Sequence, residues 1–321
     1  MQTLEPLSTS LHHFPLGHPA APLWREEING DNCLYVPQMG CPERGASSRR
    51  NLLCTKIADH FYGVLSVVKD VGCLDATRVK LQYCCEEDDY IHANYVATPT
   101  CSRRFICTQA PLEKTCRDFW LMCIQDRVEY IVMLCNFYEK GAKKCFQYFP
   151  SSGSLRFDDI TIKYMGSSMV RFLCNTNAQV RITGLVVERD GRRLRTKHIH
   201  WIDWPDRGVP PADTAIVQVL DIIKSTQAPI VVHCSAGVGR TGSMVLIQYM
   251  LESLSLNQPI EDSGKLLLKL RSQRANTIQT DQQYLFVHQV LLNYFQENQL
   301  LDPRWKPYLD HFTKEYNKFV F

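Results

Sequence analysis

The sequence carries little imbalance of charge, no long apolar run and no metal-ligand spacing, and each absence removes a class of function. Across 321 residues, 36 Lys and Arg stand against 33 Asp and Glu, so 36 − 33 = +3 with histidines neutral. So slight a basic excess argues against a dedicated nucleic-acid binder. Nowhere do about 18 uncharged apolar residues run together, which argues against membrane insertion. The start MQTLEPLSTSLHHFPLGHPAAPLW lacks a basic segment followed by an unbroken apolar stretch, so no export signal is visible either. The 14 cysteines show no C-x2-C pairing; their one close pair, Cys84-Cys85, is adjacent and would point apart on a strand, so neither metal nor cofactor is expected.

The cysteines are scattered through apolar segments such as LCTKI, FICTQ, LMCIQ and VMLCNF, the pattern of buried, reduced thiols rather than of a disulfide framework. That usage points to a reducing compartment and hence to the cytoplasm. The balance of 45% apolar and 21% charged residues is that of an ordinary globular chain. Its length suits one large catalytic domain with extensions. Residues 1–50 hold Pro6, Pro15, Pro19, Pro22, Pro37 and Pro42 with little periodicity, and read as a flexible or loosely packed extension. The domain is expected over 51–300, with a C-terminal tail at 301–321.

Within that domain the texture changes along the chain, with no internal repeat. Short β-type runs (RVKLQY, YIHANYV, FICTQAP) precede a helical segment from Leu112 to Asp126 and the strand EYIVMLCNF. SLRFDDITIKYMG, MVRFLCNT, AQVRITGLVVERDG and RRLRTKHIHWIDWP follow as antiparallel strand candidates with Gly and Asp at the turns. After Pro211 come a helix in TAIVQVLDIIKST, a buried strand PIVVH, a helix in GRTGSMVLIQYMLESL and another in TDQQYLFVHQVLLNYFQ, with Thr280 as its N-cap. These elements describe an α/β protein with a mixed sheet flanked by helices.

The chemistry concentrates in APIVVHCSAGVGRTGSMVLIQYM, where an apolar strand feeds a small, glycine-rich turn that opens into a helix. A helix start offers unpaired N–H groups and the positive end of a dipole, which together make an anion site. A thiol set there, as Cys234 is, with Arg240 six positions on, should lose its proton below the free value of about 8.5 and become a nucleophile. Arg240 can grip two phosphate oxygens with a planar fork, and the Thr241 hydroxyl can steady the thiolate as it leaves.

Other readings of the same turn exist. Gly237-Val238-Gly239-Arg240-Thr241-Gly242 fits a dinucleotide fingerprint, but SLNQPIEDSG follows the helix instead of a strand ending in an acidic residue. A phosphate-binding Gly-Lys-Ser/Thr motif is absent. A buried structural thiol is the better reading of the other cysteines; for Cys234 it leaves the residues around it unexplained.

At HCSAGVGRTG the sequence resembles the classical protein tyrosine phosphatases, and the resemblance extends over about Asp70 to Phe295. DDYIHANYV and FICTQAP look like that family's N-terminal sheet, and TCRDFWLM like its next helix. FYEKGAKKCFQYFP resembles its glutamate-lysine loop, HWIDWPDRGVP its mobile acid loop, and RSQRANTIQTDQQYLF its glutamine loop. The resemblance implies a central, highly twisted mixed β-sheet flanked by helices, and a metal-free phosphatase acting on phosphotyrosine-containing proteins, with no nucleic acid, no membrane insertion and a monomeric state.

Carried over residue by residue, it makes Cys234 the nucleophile that forms a phosphocysteine, and Arg240 the phosphate clamp. Asp206 becomes the general acid; Trp204-Pro205-Asp206-Arg207-Gly208 is a stiff turn suited to a lid that brings a carboxylate onto substrate. Gln279, with Gln283 nearby, would place the hydrolytic water, a task an amide suits because it both donates and accepts. The resemblance pairs Glu139 with Arg240, sets Lys140 or Lys144 against the acid loop, and has His233 orient the phosphate loop and help keep the thiolate charged. Ser235, Ala236, Gly237, Val238 and Gly239 would line the phosphate, and Asp70 would hold the substrate backbone.

The family's Asn-Arg-Tyr segment, whose ring walls the pocket, is absent. Val68 stands where the tyrosine is expected, within GVLSVV, and Tyr62 is the nearest ring upstream. That departure leaves two further readings, a phosphotyrosine-binding module of weak activity and a phosphatase of relaxed substrate range.

Overall fold

The computed structural model describes residues 71–82, 89–260 and 262–320. The extension expected over 1–50, Tyr62, Val68, Asp70 and the Cys84-Cys85 pair lie outside the described residues. The chain runs through β1 (Arg78–Lys80), β2 (Tyr90–Thr98), β3 (Cys101–Thr108), α1 (Cys116–Gln125) and β4 (Tyr130–Met133) to a small hairpin, β5 (Tyr138–Glu139) with β6 (Ala142–Lys143). Next come β7 (Ser154–Phe157), β8 (Ile160–Met169), β9 (Val180–Arg189) and β10 (Arg192–Trp201), then α2 (Ala215–Ile223), β11 (Ile230–His233) and α3 (Gly239–Ser255). The remaining elements are α4 (Ser263–Arg271), α5 (Asp281–Glu297) and α6 (Lys306–Val320).

Nine strands form one sheet in the order β1-β2-β3-β11-β4-β10-β9-β8-β7. Its middle is parallel, with β11 between β3 and β4 and β10 beyond β4. Both wings are antiparallel. The sequence dictates this division. Ile230-Val231-Val232 is buried at every position, as a strand covered on both faces must be, whereas β8 alternates between buried and exposed over its first half. Tight turns join β2 to β3, β7 to β8 and β9 to β10, and left-handed Asp158 (φ 50°), Asp190 (φ 47°) and Gly191 (φ 73°) make two of them.

The parallel middle aims four strand ends the same way. Beyond β3 lie Gln109 and Ala110, beyond β4 the hairpin with Glu139, beyond β10 the turn with Asp206, and beyond β11 Cys234. Residues from distant parts of the sequence therefore converge on the carboxyl rim, where open α/β sheets bind ligands. Helix α3, buried from Gly239 to Ile247, packs against β11, α2, α4 and α5. The Thr280 side chain caps α5 as expected, accepting from Gln283 N at 3.2 Å.

Three segments depart from the sequence reading. MVRFLCNT is not a strand, since β8 ends at Met169 and no ladder includes 170–179. Its in-out alternation is real, because Val170, Phe172 and Cys174 pack on the core, but the Leu173 amide donates to Gln218 Oε1 at 2.8 Å instead of to a neighbouring strand. Helix α4 was not anticipated; its start is set by Asp262, whose carboxylate accepts from the amides of Gly264 and Lys265. Much of the segment read as a C-terminal tail is α6, held to α5 and buried at Tyr316. Among the described residues no helix is long and apolar enough to cross a membrane.

Candidate active site

The loop from Cys234 to Gly239 is shaped by what its carbonyls bind. The Cys234 carbonyl accepts from His233 Nδ1 at 3.2 Å and that of Ser235 from the Ala110 amide at 3.0 Å. Arg274 donates to the next two, Nη2 to Ala236 at 3.0 Å and Nε to Gly237 at 3.2 Å. The Val238 carbonyl takes the amides of Gly242 at 3.1 Å and Ile278 at 2.9 Å. A trans peptide unit points its N–H opposite its C=O. Five carbonyls turned outward thus turn five amides inward, those of Ser235, Ala236, Gly237, Val238 and Gly239, the residues expected to line a phosphate. The Gly237 amide reaches the Cys234 sulfur at 3.3 Å.

Close packing underlies this geometry. Gly237 has φ 69°, and a Cβ there would fall 2.0 Å from the Thr108 carbonyl oxygen, so only glycine fits. At Gly239 a Cβ would meet Gln279 Oε1 at 2.7 Å and Gln283 Nε2 at 2.9 Å; both glutamines therefore lie over the loop. Gln283 also accepts from the Gln279 amide at 3.0 Å. Ile278 is a β-branched residue at φ 62°, an uncommon conformation held by the Val238 carbonyl on one side and by Arg271, which donates to the Ile278 carbonyl, on the other.

Arg240 is buried and forked onto Glu139, Nη1 to Oε1 at 2.6 Å and Nη2 to Oε2 at 2.8 Å. It also donates to the Trp204 carbonyl at 3.1 Å and to Asp206 Oδ1 at 3.3 Å. Lys144 Nζ holds the other oxygen of Asp206 at 2.9 Å, so of the two lysines considered it is Lys144 that meets the acid turn. Lys140 is exposed at the hairpin turn.

Burial raises the Cys234 pKa, yet the opposing effects of the Arg240 charge, the Thr241 hydroxyl and amide and the Val238 amide outweigh it, and the thiol sits below its ordinary value. The buried Thr241 hydroxyl has no oxygen or nitrogen partner and bears on that sulfur. Other thiols are pushed up, chiefly by burial, Cys107 and Cys116 to about 12. Asp206 lies below the usual carboxylate range: burial raises it, but its bond to Lys144 and the charges of Lys144, Arg240 and Arg207 prevail.

His233 is pushed down to about 3, chiefly by burial, and so is neutral. A neutral ring adds no charge of its own beside the thiolate. Its part is positional. Because Nδ1 donates to the Cys234 carbonyl, Nε2 must accept, and it takes the Tyr148 hydroxyl at 2.7 Å. Tyr148 accepts in turn from His198 Nε2 at 2.6 Å. Sequence reasoning missed Tyr148, His198, Ala110 and Arg274, all of which act through the backbone or one another. Arg274 stood inside RSQRANTIQTDQQYLF without a role; a second arginine among polar residues gave no sign that it would be buried to 1%. Among the described residues no group of three or more His, Cys, Asp or Glu side chains could hold a metal.

The family model described as "Protein-tyrosine phosphatase" matches residues 66–293. Human receptor-type tyrosine-protein phosphatase zeta is 35% identical over 250 residues, 74% of this chain and 11% of the relative. Human tyrosine-protein phosphatase non-receptor type 9 is 34% identical over 251 residues, 70% of this chain and 40% of that protein. The chain thus spans about a tenth of the one and two fifths of the other. A solved structure, PTPN18 in complex with HER2-pY1196 phosphopeptides, superposes with a TM-score of 0.65 at 30% identity, covering 72% of this chain and 81% of that one.

Two expectations follow from the geometry. Iodoacetamide at about pH 6 should modify Cys234 ahead of Cys107 and Cys116, read by mass spectrometry of tryptic peptides; equal labelling would contradict the depressed thiol. Arg274→Met should unpair the Ala236 and Gly237 carbonyls at about 1–3 kcal/mol each, lower the urea midpoint and abolish the labelling preference at Cys234.

Proposed function

The chain belongs to the protein-tyrosine phosphatase family, and on that premise we propose that it hydrolyses phosphotyrosine in proteins through a phosphocysteine at Cys234. The observation that carries this reading is the ring of five inward amides closed by Arg240 around a thiol of depressed pKa. Such a cradle matches the oxygens of a phosphoryl group, and its donors are in position before charge shifts in the transition state.

In the first step the Cys234 thiolate attacks phosphorus, the bond to the tyrosyl oxygen breaks, and that oxygen takes a proton from Asp206. Asp206 is held ionised by Lys144 and Arg240. A dianionic ester beside it supplies a neighbouring negative charge and draws Arg240 toward phosphate; both effects raise the carboxyl pKa and load the acid. In the second step Asp206 accepts a proton from water, Gln279 and Gln283 orient that water, and its oxygen bonds to phosphorus as the S–P bond breaks. The thiolate leaves into the amides and the Thr241 hydroxyl. Glu139 keeps the Arg240 fork in plane throughout.

A cytoplasmic setting and phosphotyrosine-bearing proteins as substrates belong to the same proposal. Supporting it, one relative is named a non-receptor type and a solved relative is described with phosphopeptides.

Phosphate release from a phosphotyrosine peptide in EDTA, measured beside peptide binding, tests the reading. Wild type should turn over, while Cys234→Ser and Asp206→Ala should bind with at least a hundredfold loss of kcat. Wild type that binds without turnover would instead make the chain a binding module. Lys144→Ala removes the main group depressing Asp206, so the carboxyl stays protonated to higher pH. The alkaline fall of kcat/KM should then shift upward in a pH-rate profile, and an unmoved limb would deny Asp206 the acid role.

A further inference from the structure

One open face of the antiparallel wing gathers positive charge away from the phosphate loop. Arg193, Arg195 and Lys197 stand at alternate positions of β10 and so share a face, the one opposite to buried Thr196 and His198. Across the ladder they meet Glu188, Val186 and Gly184 of β9. Farther out, Glu188 pairs with Thr161 and Val186 with Lys163 of β8, and Thr161 pairs with Arg156 of β7. Met165, two positions after Lys163, lies beside Gly184, where a Cβ would fall 3.5 Å from that of Met165, and it is 64% exposed.

Five exposed cations, Arg156, Lys163, Arg193, Arg195 and Lys197, thus share this face with one carboxylate. That carboxylate is Glu188, which holds Lys163 Nζ at 2.7 Å and Arg193 Nη2 at 3.0 Å. The carboxylates of the adjoining turns are turned to other partners: Asp158 and Asp159 meet Arg117, and Asp159 and Asp190 meet Arg189. Among the described residues neither Arg195 nor Lys197 has a carboxylate within ion-pairing distance; the Lys197 ammonium lies over the Tyr130 ring at 5.6 Å, which leaves its charge intact. The excess on this face is 5 − 1 = +4, against +3 for the whole chain, so the asymmetry is concentrated here. A sheet face open to water calls for polar residues, but not for residues of one sign.

We propose that this face of β7–β10 docks the protein on an anionic lipid bilayer, by adsorption to the headgroups without insertion. Its cations form a two-dimensional array, about 13 Å along β10 and about 14 Å across from β7 to β10. An extended acidic peptide or a nucleic-acid strand presents one line of charge and would cover part of that array, whereas a plane of anionic headgroups meets all five cations together. Met165 adds an apolar contact at the headgroup boundary. Arg193, Arg195 and Lys197 lie in the amino-terminal half of β10, while Cys234 and Asp206 lie beyond the carboxyl ends of β11 and β10, so docking leaves the catalytic residues out of the contact. The proposal does not depend on the phosphatase reading.

The test is co-sedimentation of the full-length chain with phosphatidylcholine vesicles, with and without about 30% phosphatidylserine, at about 20 mM and about 500 mM salt. Wild type is compared with Arg195→Gln/Lys197→Gln and with Lys306→Gln/Lys318→Gln, which removes two exposed cations from α6. Urea midpoints equal to that of wild type establish that both variants fold. Each cation near an anionic surface is worth about fivefold in partitioning, so the β10 variant should bind about 25-fold more weakly at low salt. Wild type should bind the phosphatidylserine vesicles alone, release them at high salt, and be matched by the α6 variant. Failure of wild type to bind at low salt, binding that ignores salt, a β10 variant that binds like wild type, or an equal loss in the α6 variant would each overturn the proposal. So would polyglutamate or single-stranded RNA that, at equal anionic charge, binds wild type more tightly than the vesicles and loses that affinity in the β10 variant.

Discussion

The site depends on the outward pull on five consecutive carbonyls. Each of the peptide units from Cys234 to Gly239 is pinned by a donor elsewhere: His233, Ala110, Arg274 and, at the helix start, Gly242 and Ile278. An unanchored loop of small residues would spread over many conformations, and ordering it on a ligand would cost about 1–2 kcal/mol per residue. Here the ordering is done during folding. Amides that already converge need no rearrangement when charge moves, and a thiolate in their midst is stabilised continuously.

Burying charge beside that loop carries its own cost, and the structure meets it with paired geometry. Arg240 and Glu139 are both nearly removed from water and share two parallel hydrogen bonds. Such a pair adds little to stability, because desolvation cancels much of the attraction, but it fixes where the guanidinium points. The remaining donor capacity of Arg240 goes to Trp204 and Asp206, which couples the acid turn to the phosphate loop. Tyr148 and His198 behind His233 are neutral, so that side of the loop adds no further buried charge to the one Arg274 brings.

Most of the functional residues were legible because they are chemically conspicuous at short range. A cysteine between a buried strand and a helix start, with arginine six positions on, needs little context. Glu139, Asp206, Gln279 and Gln283 were reached through resemblance; in the structure the two carboxylates meet Arg240 and the two glutamines lie against Gly239. Arg274, Ala110 and Tyr148 were not legible, since each acts on a backbone group or another side chain far away in sequence. MVRFLCNT misled for a related reason: alternation reports burial on one face, whereas a strand also requires a partner for its main chain.

What the amino-acid sequence by itself determined is local. It set the apolar strand before Cys234, the glycines that allow the turn, the helix that follows, and the cap at Thr280, all consequences of residue-by-residue backbone preference and spacing. What the tertiary structure decided is convergence. Only the parallel pairing of β3, β11, β4 and β10 brings four loops to one rim, and only there do Lys144, Arg240 and Asp206 come within reach of one another. Their charges act over a few ångströms in space, a separation that positions tens of residues apart in the chain do not encode.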